Sequence, residues 1–254
     1  MTGSDTTTDC VHVEIVGSVA RLTLSRPPVN AFNAQLVGQL DDAVAEVETR
    51  ADVRVAILTG AGRCFAAGAD LHEIADLSVD AMSWWNRRLE RAVDRVARLG
   101  IPVIAAVNGH ALGGGFELAL AADFRFFSAA ATVGLPEVTL GIVPGAGGMS
   151  RLTRIVGAMR AKELIMSGRR VRPEEADALG LGWQAGSRGA LAAAEGLAET
   201  LSAAPHPAIR AVKESVDRAT DSSLQASLAA DVAALTAVFA TDEARRGIVA
   251  FRTP

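Results

Sequence analysis

The feature that most constrains this chain is a repeated unit: a short, mostly apolar run that stops near glycine, followed by a longer segment with apolar residues at helical spacing. Val53–Thr59 ends at Gly60, Ala61 and Gly62, and Val103–Val107 is followed closely by Gly109. Runs without polar alternation suit strands buried on both faces, as in parallel sheets covered by helices. From Asn33 to Arg50, Leu36, Val37, Leu40, Val44 and Val47 recur at helical spacing, with Asn33 placed to cap them. A second helix is predicted from about Ala81 to Leu99, broken by Gly100 and Pro102. A Gly114–Ala122 helix and the strand Phe124–Phe127 continue the series. Strands alternating with helices need parallel crossovers, so the chain is predicted to be α/β.

Ahead of these units, Val11–Val16 and Val19–Ser25 alternate across Gly17 and predict a hairpin. After Gly145 the strand signal nearly vanishes, leaving helices separated by Gly157, Pro173, Pro205 and Pro207. The shift divides the chain, with a soft boundary, into a core over residues 1–195 and a helical C-terminal region over 196–254. With 50% hydrophobic and 21% charged residues, the chain can bury a large core.

The net charge of −4 gives no basic footprint for nucleic acid or an anionic membrane. Cys10 and Cys64 form no metal-type spacing, and the four histidines add none. The opening MTGSDTTTDC lacks the basic and apolar regions of a signal peptide, and no apolar run approaches the ~20 residues that span a bilayer. The expectation is a cytoplasmic protein without metal, membrane or nucleic-acid partners.

Glycines gather at Gly60, Gly62 and Gly68, at Gly109, at Gly113–Gly115, and from Gly141 to Gly148. No phosphate-binding loop is present, neither GAGRCF nor GAGGMS completes a dinucleotide fingerprint, and no G-x-S-x-G elbow occurs. What remains is NGHALGGGFELALAADF, from Asn108 to Phe124. A helix starting near Gly114 directs free amides and its positive dipole end outward, with Glu117 in the first turn. A second amide donor is available in the turn Ala66–Asp70, so two strand ends could hold an oxyanion together. Glu137 has apolar neighbours and follows Pro136; burial there raises its pKa, while the helix end favours ionised Glu117. Two carboxyls pushed apart in this way suit a division of acid and base work.

Each feature also has an ordinary structural role. A first-turn glutamate complements a helix dipole, and Gly113–Gly115 suit close packing. Asp70 suits a turn or cap that shapes the Ala69 amide, and His72 and His110 suit solvated or packed positions. Trp84 and Trp85 could line a substrate pocket, yet adjacent residues point apart on a helix, so at least one packs inward. Phe116 either shortens a substrate channel or joins the core.

RCFAAGADLHEI, IPVIAAVNGHALGGGFELALAADFRF and LPEVTLGIVPGAGGMSRLTRIVG, in this order and spacing, resemble the core blocks of the crotonase, or enoyl-CoA hydratase/isomerase, superfamily. The similarity runs from about Val11 to the C-terminus. It implies a spiral of ββα turns, a helical trimerisation region, and a homotrimer or dimer of trimers. It implies an oxyanion hole from the amides of Ala69 and Gly114, with glycine at 114 leaving room for the carbonyl. The matching catalytic residues are Glu117 and Glu137, which in hydratases of the family share one water. Contacts to the acyl-CoA thioester are implied at Ala67, Ala69, Asp70, Leu71 and Gly114, and at Phe251 for CoA on a neighbouring subunit. No metal or redox cofactor is implied, coenzyme A being part of the substrate. The implied activity is hydration of 2-trans-enoyl-CoA to 3-hydroxyacyl-CoA, of the fatty acid β-oxidation type. The alternatives are a Δ3,Δ2-enoyl-CoA isomerase and a catalytically idle acyl-CoA-binding subunit. Departures from the pattern are Met149-Ser150 where Thr-Gln is common, His72 where a basic residue is common, and no Lys beyond Phe251 before Pro254.

Overall fold

The structure is a computed structural model and describes residues 9–252. Most of the MTGSDTTTDC opening and the final Pro254 lie outside the described residues.

The predicted hairpin forms as β1 (Val11–Val16) and β2 (Val19–Leu24), antiparallel, with Val16 opposite Val19 across Gly17. Helix α1 (Ala34–Thr49) is capped by Asn33, whose side chain accepts from the Leu36 N–H at 2.9 Å. It buries Leu36, Val37, Leu40, Val44 and Val47, the residues its periodicity singled out, and delivers the chain to β3 (Val55–Gly60), buried throughout. From there each turn of the spiral lays one strand in a main sheet, one in a small second sheet, and then helix. β3 is followed by β4 (Cys64–Ala66), α2 (Leu71–Ile74) and α3 (Val79–Arg98). β5 (Val103–Val107) is followed by β6 (His110–Leu112) and α4 (Gly114–Ala121). β7 (Phe124–Phe127) is followed by β8 (Thr132–Gly134), a 3₁₀ turn at Glu137–Leu140, and α5 (Gly148–Val156), α6 (Ala158–Ser167) and α7 (Pro173–Ala178). A two-residue strand, β9 (Trp183–Gln184), closes the main sheet.

The main sheet runs β1-β2-β3-β5-β7-β9 and the second β4-β6-β8; every pairing after the hairpin is parallel. Passage between sheets needs a close backbone crossing. A Cβ on Gly60 would lie 2.1 Å from the Cys64 carbonyl oxygen, and one on Gly109 1.8 Å from that of Arg63. These glycines therefore permit the crossing itself.

One face of the main sheet packs into a large core with α1, α3 and α4. The other face, through Val55, Ile57, Ile104 and Ala106, meets α8 (Ala190–Ala203) at Ala190, Ala194 and Ala198. These alanines lie four residues apart, and their small side chains let the helix sit close to the strands. The expected boundary between residues 195 and 196 falls inside this helix. Next comes α9 (His206–Ala219), held to the sheet by Lys213, whose Nζ donates to Asp123 Oδ2 at 2.8 Å and to the Ile101 carbonyl at 3.1 Å. Pro173 and Pro207 stand in the first turns of α7 and α9, where a missing N–H is harmless, so they open helices as well as interrupting the pattern. Helices α10 (Leu224–Phe239) and α11 (Asp242–Arg252) follow with much of their apolar surface exposed. Among the described residues no single helix is long and apolar enough to cross a membrane.

Candidate active site

The start of α4 and the turn leaving β4 lie against each other. A Cβ on Gly68 would meet the Leu112 carbonyl at 2.9 Å and the Gly114 nitrogen at 3.4 Å. Phe32 pairs with this turn by donating to the Gly68 carbonyl and accepting from Asp70, both at 2.8 Å. Alternation along an extended chain then turns the Ala69 N–H away from Phe32. Among the described residues neither the Ala69 nor the Gly114 N–H donates to a protein acceptor. Asp70 caps α2 by accepting from the His72 N–H and binds Arg26 at 2.6 Å. Burial works to raise its pKa, but the Arg26 guanidinium and the His72 and Glu73 amides outweigh that and hold it low. Glu73 accepts from the Ala34 N–H and from Trp85 Nε1, each at 2.8 Å, and so ties α1 and α3 to the same turn.

Glycine at 114 has a different reason from the one its position suggests. A Cβ there would point toward Leu89 and Phe32, each 3.3 Å away, on the core side. The glycine facing the polar space is Gly113, with φ 53°, whose Cβ would stand 3.0 Å from Glu137 Oε1.

Glu117, 2% exposed in the first turn of α4, accepts through Oε1 from the Ala146 N–H at 2.8 Å and the Gly148 N–H at 2.7 Å. The second donor is the opening amide of α5. Burial pushes the Glu117 pKa up; the Gly148 and Ala146 amides and the Arg151 guanidinium work against that rise. Glu137 opens the 3₁₀ turn, and its Oε2 is buried without a hydrogen-bond partner. Burial, and then the Glu117 charge, push its pKa up to about 7. Both carboxyls are therefore raised, where the helix end alone favours an ionised Glu117. What separates them is their partners: two amides and a cation serve Glu117, while Glu137 lacks comparable donors.

The remaining candidates divide between buried and exposed positions. Ala67 is half-buried, while Leu71, His72 and His110 are exposed. Phe116, 2% exposed, belongs to the main core, so the substrate-channel alternative gains nothing from its position. Trp85 is buried, whereas Trp84 is exposed with the Arg88 guanidinium 4.8 Å from its ring centre. Met149 and Ser150 are exposed on the first turn of α5, and Phe251 is 93% exposed on α11. Sequence reasoning missed Ala146, Gly148 and Arg151, the partners of Glu117. Their signal was the glycine run ending at Gly148, placed immediately before helical spacing resumes.

The sequence profile described as enoyl-CoA hydratase/isomerase matches residues 14–253. A short-chain-enoyl-CoA hydratase of Clostridium acetobutylicum is 35% identical over 244 residues, covering 95% of this chain and 94% of its own. The crystal structure of enoyl-CoA hydratase from Bacillus anthracis superposes with a TM-score of 0.93 at 36% identity, over 96% of both chains. The enoyl-CoA hydratase structure from Thermoplasma volcanium gives 0.90 at 30% identity, over 96% of this chain and 98% of its own. With the spiral of ββα turns and a match over nearly its full length, this chain belongs to the enoyl-CoA hydratase/isomerase family, the crotonase superfamily.

Proposed function

We propose that the protein hydrates 2-trans-enoyl-CoA to 3-hydroxyacyl-CoA, with Glu117 and Glu137 as its acid/base pair. The observation that carries this is their difference in partners: Glu117 Oε1 is held by two amides, while Glu137 has a pKa near 7 and an unpartnered buried oxygen. Glu117 is thus suited to hold a water and take its proton as the oxygen attacks C3. Glu137, protonated in a large fraction of molecules near neutral pH, is suited to deliver a proton to C2. The Ala69 and Gly114 amides receive the thioester oxygen as negative charge develops on the enolate, an interaction that strengthens toward the transition state. Ala67, Asp70 and Leu71 shape the entry to this turn. The chemistry draws only on carboxyls and amides, and coenzyme A enters as part of the substrate.

The exposed apolar residues of α10 and α11 support assembly into a homotrimer or dimer of trimers, with Phe251 meeting CoA bound to a neighbouring subunit. The hairpin and the ββα turns then form the catalytic core, and α9 to α11 its helical extension.

Hydration is followed as loss of the conjugated thioester absorbance with crotonyl-CoA and longer enoyl-CoA substrates. Glu117→Gln and Glu137→Gln are each expected to lower kcat by roughly 10²–10⁴. Wild-type protein that binds acyl-CoA but turns over no chain length would refute the proposal. Isomerisation of 3-enoyl-CoA that survives in Glu117→Gln would replace it with a one-carboxyl mechanism.

A further inference from the structure

The two amides that hold Glu117 belong to peptide groups whose opposite ends are also held. The Ala146 N–H shares its peptide with the Gly145 carbonyl, which accepts from Asn86 Nδ2 of α3 at 2.9 Å. In a trans peptide the N–H and C=O point in opposite directions, so a donor on the Gly145 oxygen aims the Ala146 N–H at Glu117. The Gly148 N–H shares its peptide with the Gly147 carbonyl, which accepts the first backbone bond of α5, from the Arg151 N–H at 2.9 Å. The intervening Ala146 carbonyl accepts from Arg151 Nη1 at 2.9 Å, and Arg151 Nη2 reaches Asp94 of α3 at 3.2 Å.

The glycines of this loop match these contacts one for one. A Cβ on Gly145 would fall 2.3 Å from Asn86 Oδ1, one on Gly147 2.2 Å from Arg151 Nη1, and one on Gly148 2.8 Å from Glu117 Cγ. Each glycine leaves room for a different member of one connected brace running from α3 through the loop to the carboxylate.

We propose that Asn86 is a positioning residue for the reaction: by holding the Gly145 carbonyl it aims the Ala146 amide at Glu117, while Arg151 holds the next two peptides. Asn86 stands 31 residues from Glu117 in sequence and acts only through the Gly145–Ala146 peptide. Polarisation along such a chain strengthens each bond in it. The charged groups around Glu117 are Glu137 on the 3₁₀ turn and Arg151 on α5, and behind Arg151 stand Asp94 and Glu90 on α3 and Arg154 on α5. Asn86 is neutral, so replacing it with a neutral residue changes the aim of the Ala146 amide without adding or removing charge. The inference rests on the role proposed above for Glu117.

The test is Asn86→Leu, near in volume and without a donor, compared with wild type and with Asn86→Gln. In protein carrying ¹³C-labelled glutamate, with the Glu117 signal assigned by its loss in Glu117→Gln, the titration midpoint of Glu117 should rise in Asn86→Leu by about half a unit, the scale of one lost neutral hydrogen bond. The acidic limb of the kcat profile for crotonyl-CoA hydration should move the same way. On the acidic limb kcat should fall by up to about threefold, the factor that half a unit allows, with KM within twofold of wild type, and Asn86→Gln should recover part of the loss. An unchanged midpoint in a folded Asn86→Leu overturns the proposal. So does a rise in KM without a moved acidic limb, which would make Asn86 a wall of the substrate site. Wild-type protein without hydratase activity would refute the proposed function, while the NMR midpoint still reports on the brace.

Discussion

Glu137, the acid of the proposed reaction, also links pH to the stability of the fold. Its folded pKa of about 7 lies above the ordinary carboxylate value, so the native state keeps a proton that the unfolded chain releases between those two pH values. The stability linked to this group is complete below the unfolded pKa and is lost as pH rises through about 7. Glu117 is raised as well and acts in the same direction. Glu137→Gln is neutral in both states and escapes the loss. Its melting temperature relative to wild type should therefore climb between pH 5 and pH 8, by a few degrees for a linked term on the order of 1–2 kcal/mol, after discounting for its partial exposure. A melting difference independent of pH would show that Glu137 titrates normally.

At the scale of elements, the join between α4 and the second sheet is tighter than the join between α4 and the core. A Cβ on Gly115 would sit 2.1 Å from the Ala66 carbonyl oxygen and 2.7 Å from its carbon, backbone atoms of β4 that cannot yield without parting helix from strand. A Cβ on the adjacent Gly114 would meet side-chain atoms at 3.3 Å, Leu89 Cδ2 and the ring edge of buried Phe32, which need give by only a few tenths of an ångström. Gly115→Ala should therefore cost about 3 kcal/mol or more, or prevent folding, while Gly114→Ala should change stability by about 1 kcal/mol or less. Chemical denaturation of the two variants checks the contrast. Comparable losses in both would mean that α4 can shift along the β4 edge.

For the whole molecule, the unburied apolar surface is organised. Leu224, Leu228, Val232, Leu235 and Phe239 are each more than half exposed, and their spacing of three or four residues places them along one stripe of α10. A stripe this long points to a helical partner, and the proposed homotrimer supplies one. Leu228→Glu with Leu235→Glu should leave the α/β core folded but shift sedimentation from the oligomer toward the monomer. Because Phe251 is expected to serve a neighbour's CoA, the same variant should bind acyl-CoA several-fold more weakly. An unchanged oligomer would place the subunit contact elsewhere.

Much of this architecture was legible in the sequence because it follows from local rules. The period of Leu36, Val37, Leu40, Val44 and Val47 specifies which side of α1 is buried, Asn33 supplies its own cap, and a run such as Val55–Leu58 needs cover on both faces wherever it lies. The two glutamates proposed for the reaction stand out through the glycine-rich blocks around them, which also carry the family resemblance. Only the tertiary structure decided what those blocks touch. The three-residue strands β4, β6 and β8 are too short to show a period, so the second sheet was hidden. The reason for glycine at 114 and the burial of Phe116 depend on which atoms of distant elements approach them. Which amides serve Glu117, and that Asn86 and Arg151 hold them from behind, are likewise set where α3, α4 and α5 meet. A residue's periodicity records the face it turns inward, but the direction of a hydrogen bond depends on atoms that folding brings together from dozens of residues away.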